Sequence, residues 1–230
     1  MKHIVVLTGA GISAESGLKT FRDADGLWEG HDVMEVATPE GFAKNPELVL
    51  KFYNQRRAQL LGVKPNVAHE ALVQLEEKYK VTIITQNVDD LHERAGNSNV
   101  VHLHGELLKV RSTISTNKPI NWTQDLLLGD VCDKGYQLRP HIVWFGEEVP
   151  LLDKAIEITR RADILIIIGT SMQVYPAASL IDFIKANTPI FFIDPKPSIS
   201  EKTKRNLRIV SSSATVGVPE IVTLLLEQKS

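Results

Sequence analysis

The chain has 230 residues, a formal net charge of −2 and a single cysteine, with 43% of its residues apolar and 23% charged. Such a length fits one large α/β domain, or one domain with an insertion, in an ordinary soluble protein. The near-neutral charge argues against broad electrostatic binding of nucleic acid or anionic membrane, and one cysteine excludes a disulfide framework or a cysteine-rich metal site. No apolar run approaches membrane-spanning length and no signal-peptide pattern opens the chain, so the expected location is the cytoplasm.

Ile4 to Leu7 is a continuous run rich in β-branched residues and reads as a buried strand. It leads into Thr8-Gly9-Ala10-Gly11-Ile12-Ser13-Ala14-Glu15-Ser16-Gly17. Gly9 and Gly11 permit a tight turn and close backbone approach to a ligand. Ser13 or a neighbour is expected to begin a helix whose free N–H groups face a phosphate. Gly9-x-Gly11-x-x-Ala14 fits a dinucleotide fingerprint with alanine in third place, and equally a turn that holds no ligand. No strand ending in an acidic residue follows about 20 positions later. Instead Leu18 to Trp28 reads as a loop. It either covers a nucleotide, with Arg22 on phosphate, or anchors itself to the surface through its aromatics.

Thr38-Pro39 and Asn45-Pro46 each read as a cap followed by proline at the first helical position. Leu48, Val49 and Phe52 give the second helix a buried stripe. Tyr53 and Arg56, three apart, share a face. They make either a carboxylate clamp or an ordinary amphipathic helix with a solvated arginine. Pro65 and Asn66 introduce a helix with Ala68, Leu72, Leu75 and Tyr79 on one face. Val81 to Thr85 is a strand, and Gln86, Asn87 and Asp89 follow at its carboxyl end, where open α/β sheets bind ligands. Asp89 equally suits a helix cap, and Gly96 closes that helix. Asn99 to Leu103 is a short strand. His104 after it is either structural or a general base facing a cleft.

Lys109 to His141 breaks the α/β rhythm and reads as a satellite module with a minor core. Asp163 to Ile168 is the clearest central strand, buried on both faces, ending in the small-residue turn Gly169-Thr170-Ser171. Pro176 is expected to start a helix. Pro189 to Ile193 is a strand ending in Asp194, which is placed to meet a ribose hydroxyl. Leu207 to Val210 is the last strand, and Val218, Ile221, Val222 and Leu225 stripe a closing helix. The alternation predicts a doubly wound, Rossmann-like parallel sheet with a smaller inserted module. The expected division is a single domain over 1–230, its large part about 1–20, 66–108 and 142–230, and its small module about 21–65 and 109–141.

The set Gly9-Ala10-Gly11-Ile12-Ser13, Phe21-Arg22, Thr85-Gln86-Asn87-Val88-Asp89, His102-Leu103-His104-Gly105, Phe145-Gly146-Glu147 and Gly169-Thr170-Ser171 resembles the sirtuin family, in order along nearly the whole chain. The resemblance is nearest to short bacterial sirtuins and to the desuccinylase branch. It implies an NAD-dependent protein-lysine deacylase acting on acylated proteins or peptides. Gly9, Ala10, Gly11, Ser13, Ala14, Gly17, Thr20, Phe21, Arg22 and Trp28 would hold NAD. Gln86, Asn87 and Asp89 would line its nicotinamide and ribose region, and Gly169, Thr170, Ser171, Ile193, Asp194 and Ala214 the adenosine half. His104, rather than His102, matches the catalytic histidine, working with Asn87 and Asp89. Val143, Phe145, Gly146, Glu147 and Val149 would hold the substrate peptide as an added strand. In that mechanism the acyl oxygen displaces nicotinamide and His104 activates a ribose hydroxyl, giving O-acyl-ADP-ribose. Tyr53 and Arg56 match the pair that recognises acidic acyl groups, which implies succinyl-, malonyl- or glutaryl-lysine as well as, or ahead of, acetyl-lysine. Mono-ADP-ribosyl transfer or NAD hydrolysis in the same pocket is the alternative.

One departure stands out. Sirtuins usually carry four zinc-binding cysteines between the catalytic histidine and the Phe-Gly-Glu segment. Here Ser112 stands where the first is expected, and Cys132 is the only cysteine. A closed zinc site needs about four ligands, so the module is expected to be metal-free, with Trp122, Leu126, Leu127 and Tyr136 as its apolar support.

Overall fold

The computed structural model describes residues 1–19, 27–28, 30–115, 118–198 and 206–228. Thr20, Phe21 and Arg22 lie outside the described residues. In chain order, β1 (His3–Thr8) leads into two 3₁₀ turns, Ala10–Ile12 and Ala14–Ser16. The ribbon β2 (Leu27–Trp28) and β3 (His31–Asp32) precedes the helices α1 (Val33–Val36), α2 (Pro39–Lys44), α3 (Pro46–Gly62) and α4 (Val67–Gln74). Next come β4 (Lys80–Thr85), α5 (Leu91–Ala95), β5 (Val100–His102), β6 (Gly105–Ser112), β7 (Ile120–Asn121) and β8 (Leu138–Ile142). The chain continues with α6 (Leu152–Arg160), β9 (Ile164–Ile168), the 3₁₀ segment Ala177–Phe183, β10 (Ile190–Ile193), β11 (Leu207–Val210) and α7 (Ala214–Glu227).

Six strands form one parallel sheet in the order β11-β10-β9-β1-β4-β5. This is the doubly wound arrangement the alternation predicts. The direction of winding reverses between β1 and β9, so that the crevice for a ligand opens above those two strands. Their continuous apolar sequences follow from burial on both faces. Ile4, Val6, Ile83 and Ile166 pack under α4 and α7, through Leu72, Val218 and Ile221. The alternate residues Val5, Leu7, Leu165 and Ile167 pack against Ala155 of α6 and Leu180 of the 3₁₀ segment. Among the described residues, no helix is long and apolar enough to cross a membrane.

The helix starts follow from their caps. Thr38 Oγ1 accepts from Gly41 N at 2.9 Å, Asn45 Oδ1 from Leu48 N at 3.1 Å, and Asn66 Oδ1 from Ala68 N at 3.0 Å. A second, antiparallel sheet has the order β7-β6-β8. Its core is small: Leu50, Val110, Leu126 and Leu138, with Phe42, Trp122 and Cys132 packed against it. A larger cluster of α3 residues with Leu107, Ile142 and Trp144 joins this sheet to the helices.

Four local expectations are refined or corrected. The helix expected from Ser13 or a neighbour is cut to single 3₁₀ turns, Ala10–Ile12 and Ala14–Ser16, the second with Ser13 at its N-cap. Asn66 Nδ2 donates to Ile12 O (2.8 Å) and Ser16 Oγ (2.9 Å), and Gly17 closes the second turn in the left-handed region at φ 98°. The helix expected from Pro176 is present, as a 3₁₀ segment over Ala177–Phe183 capped by Pro176. Leu127 and Tyr136 are exposed, so the satellite core rests on Leu126 and not on them. On α3 Leu48 is only partly covered, whereas Arg57 is buried, its Nη1 donating to Asn54 Oδ1 at 2.7 Å.

Candidate functional site

A cavity of about 640 Å³ opens above the carboxyl ends of β1, β4 and β9 and reaches the second sheet. Its floor is two glycine loops pressed together. Gly9 N donates to Ile168 O at 3.0 Å and Gly11 N to Gly169 O at 2.9 Å. A Cβ on Gly11 would lie 2.5 Å from Gly169 Cα, and Gly169 has φ 58°. Only glycine tolerates both the contact and that backbone.

The wall comes from the segment after β4, and buried hydroxyls hold it. Thr8 Oγ1 donates to Thr85 Oγ1 (2.8 Å), which also accepts from Asn87 N (3.0 Å). His92 Nε2 lies 3.1 Å from Thr8 Oγ1. Asn87 Nδ2 then donates to Ser13 Oγ (3.2 Å), and Ser13 Oγ to Asp89 Oδ2 (3.0 Å). Asp89 Oδ1 accepts from Leu91 N at 3.1 Å. Asp89 thus holds the start of α5 and lines the cavity at once. Burial raises its pKa against the opposing hydrogen bonds from Leu91 and Ser13.

The two histidines near β5 separate cleanly. His104 Nδ1 lies 3.0 Å from Gln86 O. A carbonyl only accepts, so Nδ1 carries the proton and Nε2 bears the lone pair. Burial lowers the His104 pKa, which keeps the ring neutral near pH 7 and able to take a proton. His102 has both nitrogens engaged, with Asn87 O (3.1 Å) and Glu93 Oε1 (2.7 Å). Burial opposes its charged form, but the Glu93 carboxylate outweighs that and raises its pKa. His102 therefore holds the wall, and the base-competent ring is His104.

The far end of the cavity is aromatic. Tyr53 is fully buried, and its Oη accepts from Trp144 Nε1 at 2.9 Å. Burial raises the phenol's pKa, so it stays protonated. The Trp28 ring meets Phe52 edge-on at 4.8 Å and Tyr53 at 6.1 Å. Arg56 Cζ sits 5.4 Å from the Phe52 ring centroid. Glu147 turns its carboxylate inward, to Arg139 Nη1 (2.6 Å), Arg111 Nη2 (3.1 Å) and Trp144 N (2.8 Å).

The cavity gathers most of the residues picked out in the sequence. Gly9, Ala10, Gly11, Ser13, Ala14, Trp28, Gln86, Asn87, Asp89, His104, Gly169, Thr170, Ser171, Asp194 and Ala214 line it, as do Tyr53, Arg56, Val143, Phe145, Gly146, Glu147 and Val149. Gly17 and Ile193 do not; Ile193 is buried in the sheet, its carbonyl accepting from Gly169 N at 2.9 Å. Sequence reasoning missed Glu15, Lys19, Leu107, Trp144, Lys196 and Ser213, which also line the cavity. Lys196 stands two residues past Asp194 at a strand end, a signal that could have found it. Glu15 accepts from Thr215 Oγ1 (2.6 Å), Thr215 N (3.1 Å) and Ser213 Oγ (3.1 Å), tying the first loop to the start of α7. Burial works the other way, but these bonds lower its pKa.

The Sir2 family profile matches residues 9–176. A Helicobacter pylori protein named NAD-dependent protein deacylase is 57% identical over 230 residues, the full length of both chains. A Bacteroides thetaiotaomicron protein of the same name is 51% identical over 98% of this chain and 99% of its own. A solved Sir2 homologue in complex with NAD superposes with a TM-score of 0.87 at 42% identity, over 98% of this chain and 90% of that one. A Sir2 homologue mutant in complex with ADP-ribose gives a TM-score of 0.89 at 41% identity, over 100% and 95%. With a profile match across most of its length and full-length relatives more than half identical, the chain belongs to the Sir2 family.

Proposed function

We propose that the chain is an NAD-dependent protein-lysine deacylase that takes succinyl-, malonyl- or glutaryl-lysine as well as, or in preference to, acetyl-lysine. The observation that carries the reading is the fixed tautomer of His104: a neutral ring with Nδ1–H on Gln86 O and a lone pair on Nε2, in the same cavity as Asn87 and Asp89. The cavity fits a dinucleotide. The Asp194 carboxylate, 2% exposed at the end of β10, lines it as an acceptor for a ribose hydroxyl, and the paired glycine loops lie at the switch point where this fold receives phosphates. When bound, NAD supplies an electrophilic ribose carbon and the hydroxyl that takes the acyl group.

His104 Nε2 would take the proton of that hydroxyl, help typically worth roughly 10²–10⁴ in rate. Ser13 and Asp89 hold the Asn87 side chain in place, and apolar walls exclude water that would compete for the same carbon. Phe145, 44% exposed, and Gly146, at φ 87°, offer backbone to an extended acyl-lysine peptide. Tyr53 and Arg56 together suit the carboxylate of an acidic acyl group. The second sheet would fold without zinc on its Leu50–Val110–Leu126–Leu138 core. Among the described residues no three His, Cys, Asp or Glu side chains gather to hold a metal. One zinc per chain by elemental analysis would overturn that part.

The test is a mass-spectrometric time course with NAD on a succinyl-lysine peptide and its acetyl-lysine twin. Faster succinyl conversion with O-succinyl-ADP-ribose appearing is expected. Faster acetyl conversion would leave the deacylase and discard the acidic preference. NAD loss with both peptides unchanged would move the assignment to ADP-ribosyl transfer or NAD hydrolysis.

A further inference from the structure

Trp144 lies between two residues with peptide-facing roles, yet its indole turns inward and is 2% exposed. The ring is clamped from several sides. Arg139 Cζ stacks 3.3 Å from the ring centroid, Phe42 lies at 5.3 Å, and the Trp144 backbone N–H donates to Glu147 Oε2 at 2.8 Å. So held, its Nε1–H donates to Tyr53 Oη at 2.9 Å. An indole N–H donates and never accepts. The accepting side of the phenol is thereby filled. Among the described residues, nothing accepts the phenol's own proton, although Tyr53 is fully buried and lines the cavity. A buried donor with no acceptor is costly and calls for one from a ligand.

Resting on the acidic-acyl reading above, we propose that Trp144 is a specificity-determining residue. Its indole N–H makes Tyr53 an obligate donor into the cavity, so that the pocket selects an acyl chain ending in an acceptor, a carboxylate, over one ending in methyl. Trp144 works through Tyr53 and is a positioning residue. Arg139 and Glu147 fix it, and so link the second sheet to the choice of acyl group. Without the indole N–H the phenol can turn to donate or accept, and the directional preference is lost.

The experiment compares kcat/KM for succinyl- and acetyl-lysine peptides in the wild type, Trp144→Phe, Tyr53→Phe and the double variant, with melting curves for each. Trp144→Phe should lower the succinyl-to-acetyl ratio about tenfold, chiefly through the KM of the succinyl peptide. In the Tyr53→Phe background the same change should move the ratio less than about twofold, because the two residues act as one unit. An unchanged ratio in Trp144→Phe, or an equal drop in both backgrounds, would overturn the proposal. If Trp144→Phe does not fold, β-(3-benzothienyl)alanine at position 144 exchanges the N–H for sulfur at nearly the same shape and makes the same comparison. A wild type with no succinyl preference would instead overturn the acidic-acyl reading, a result distinct from a wild-type preference that survives loss of the N–H.

Discussion

The cavity has two ends built in different ways. At the strand-end floor and wall, position comes from backbone and from short hydroxyl and amide side chains: Gly11 against Gly169, and Thr8, Thr85, Asn87, Ser13 and Asp89 in one buried chain of hydrogen bonds. At the far end, position comes from large side chains: Phe52, Tyr53, Trp28 and Trp144 packed edge-on or tilted against one another, with the Arg139–Glu147–Arg111 cluster behind them. The first end is anchored in a six-stranded sheet with two broad cores, the second in a small sheet whose own core is four residues. On the reading proposed above, the ribose chemistry would sit on the first end, which has the larger core behind it. On the same reading, acyl selectivity would sit on the second end, where one ring or one charge can retune it.

The largest expected effect breaks the first end alone. His104→Ala should lower kcat for any acyl peptide by about 10²–10⁴-fold, while NAD affinity measured by calorimetry changes little. A comparable loss of NAD binding would mean that the ring is structural. Next comes the support of the second end. Glu147→Ala leaves Arg139 and Arg111, 8% and 4% exposed, without their carboxylate. It should cost about 3 kcal/mol of stability and lower the melting temperature by roughly 6–12 °C. A shift of under a degree would show the cluster to be solvated. Third, Arg56→Met should remove about 1.5–3 kcal/mol from succinyl-peptide selectivity and spare some deacetylation; equal losses for both peptides would deny Arg56 that role.

The smallest effect at neutral pH is a titration beneath the wall. Burial lowers the pKa of His69 to about 4 and, with His69 beside it, that of His92 to about 3. Unfolded, both rings titrate near 6.5. Between those values the unfolded chain binds more protons than the folded one, so stability falls as pH drops through that window, by up to about 1.4 kcal/mol per pH unit for each ring. His102, whose pKa is raised, works in the opposite sense. Urea unfolding at pH 7 and pH 5 should show the loss, and His92→Asn should reduce it. A stability flat across this range would contradict the burial of the pair.

The difference between the two ends also explains what could be read from the chain alone. β1, β4, β9 and β10 announce themselves because a strand covered on both faces must be apolar throughout, and strand ends then place Gly9, Gln86, Gly169 and Asp194. The caps at Thr38, Asn45 and Asn66 are local and equally legible. What failed was non-local. The turn after β1 is shaped by Asn66, which reaches Ile12 O and Ser16 Oγ across some fifty residues. Arg57 donates to Asn54, whose Oδ1 is in turn held by Leu126 N, 72 positions away. Trp144 meets Tyr53 across 91 positions of sequence, and no period in either segment foretells that bond.

The close approach of Gly11 and Gly169 has a further consequence. Because each backbone occupies the space a side chain on the other would need, the two loops cannot change independently. A Gly169→Ala lineage under selection for activity should recover through compensating changes in residues 9–12, far away in sequence, before it recovers through the strands that carry them. The floor of the cavity is in that sense a single inherited unit written in two places.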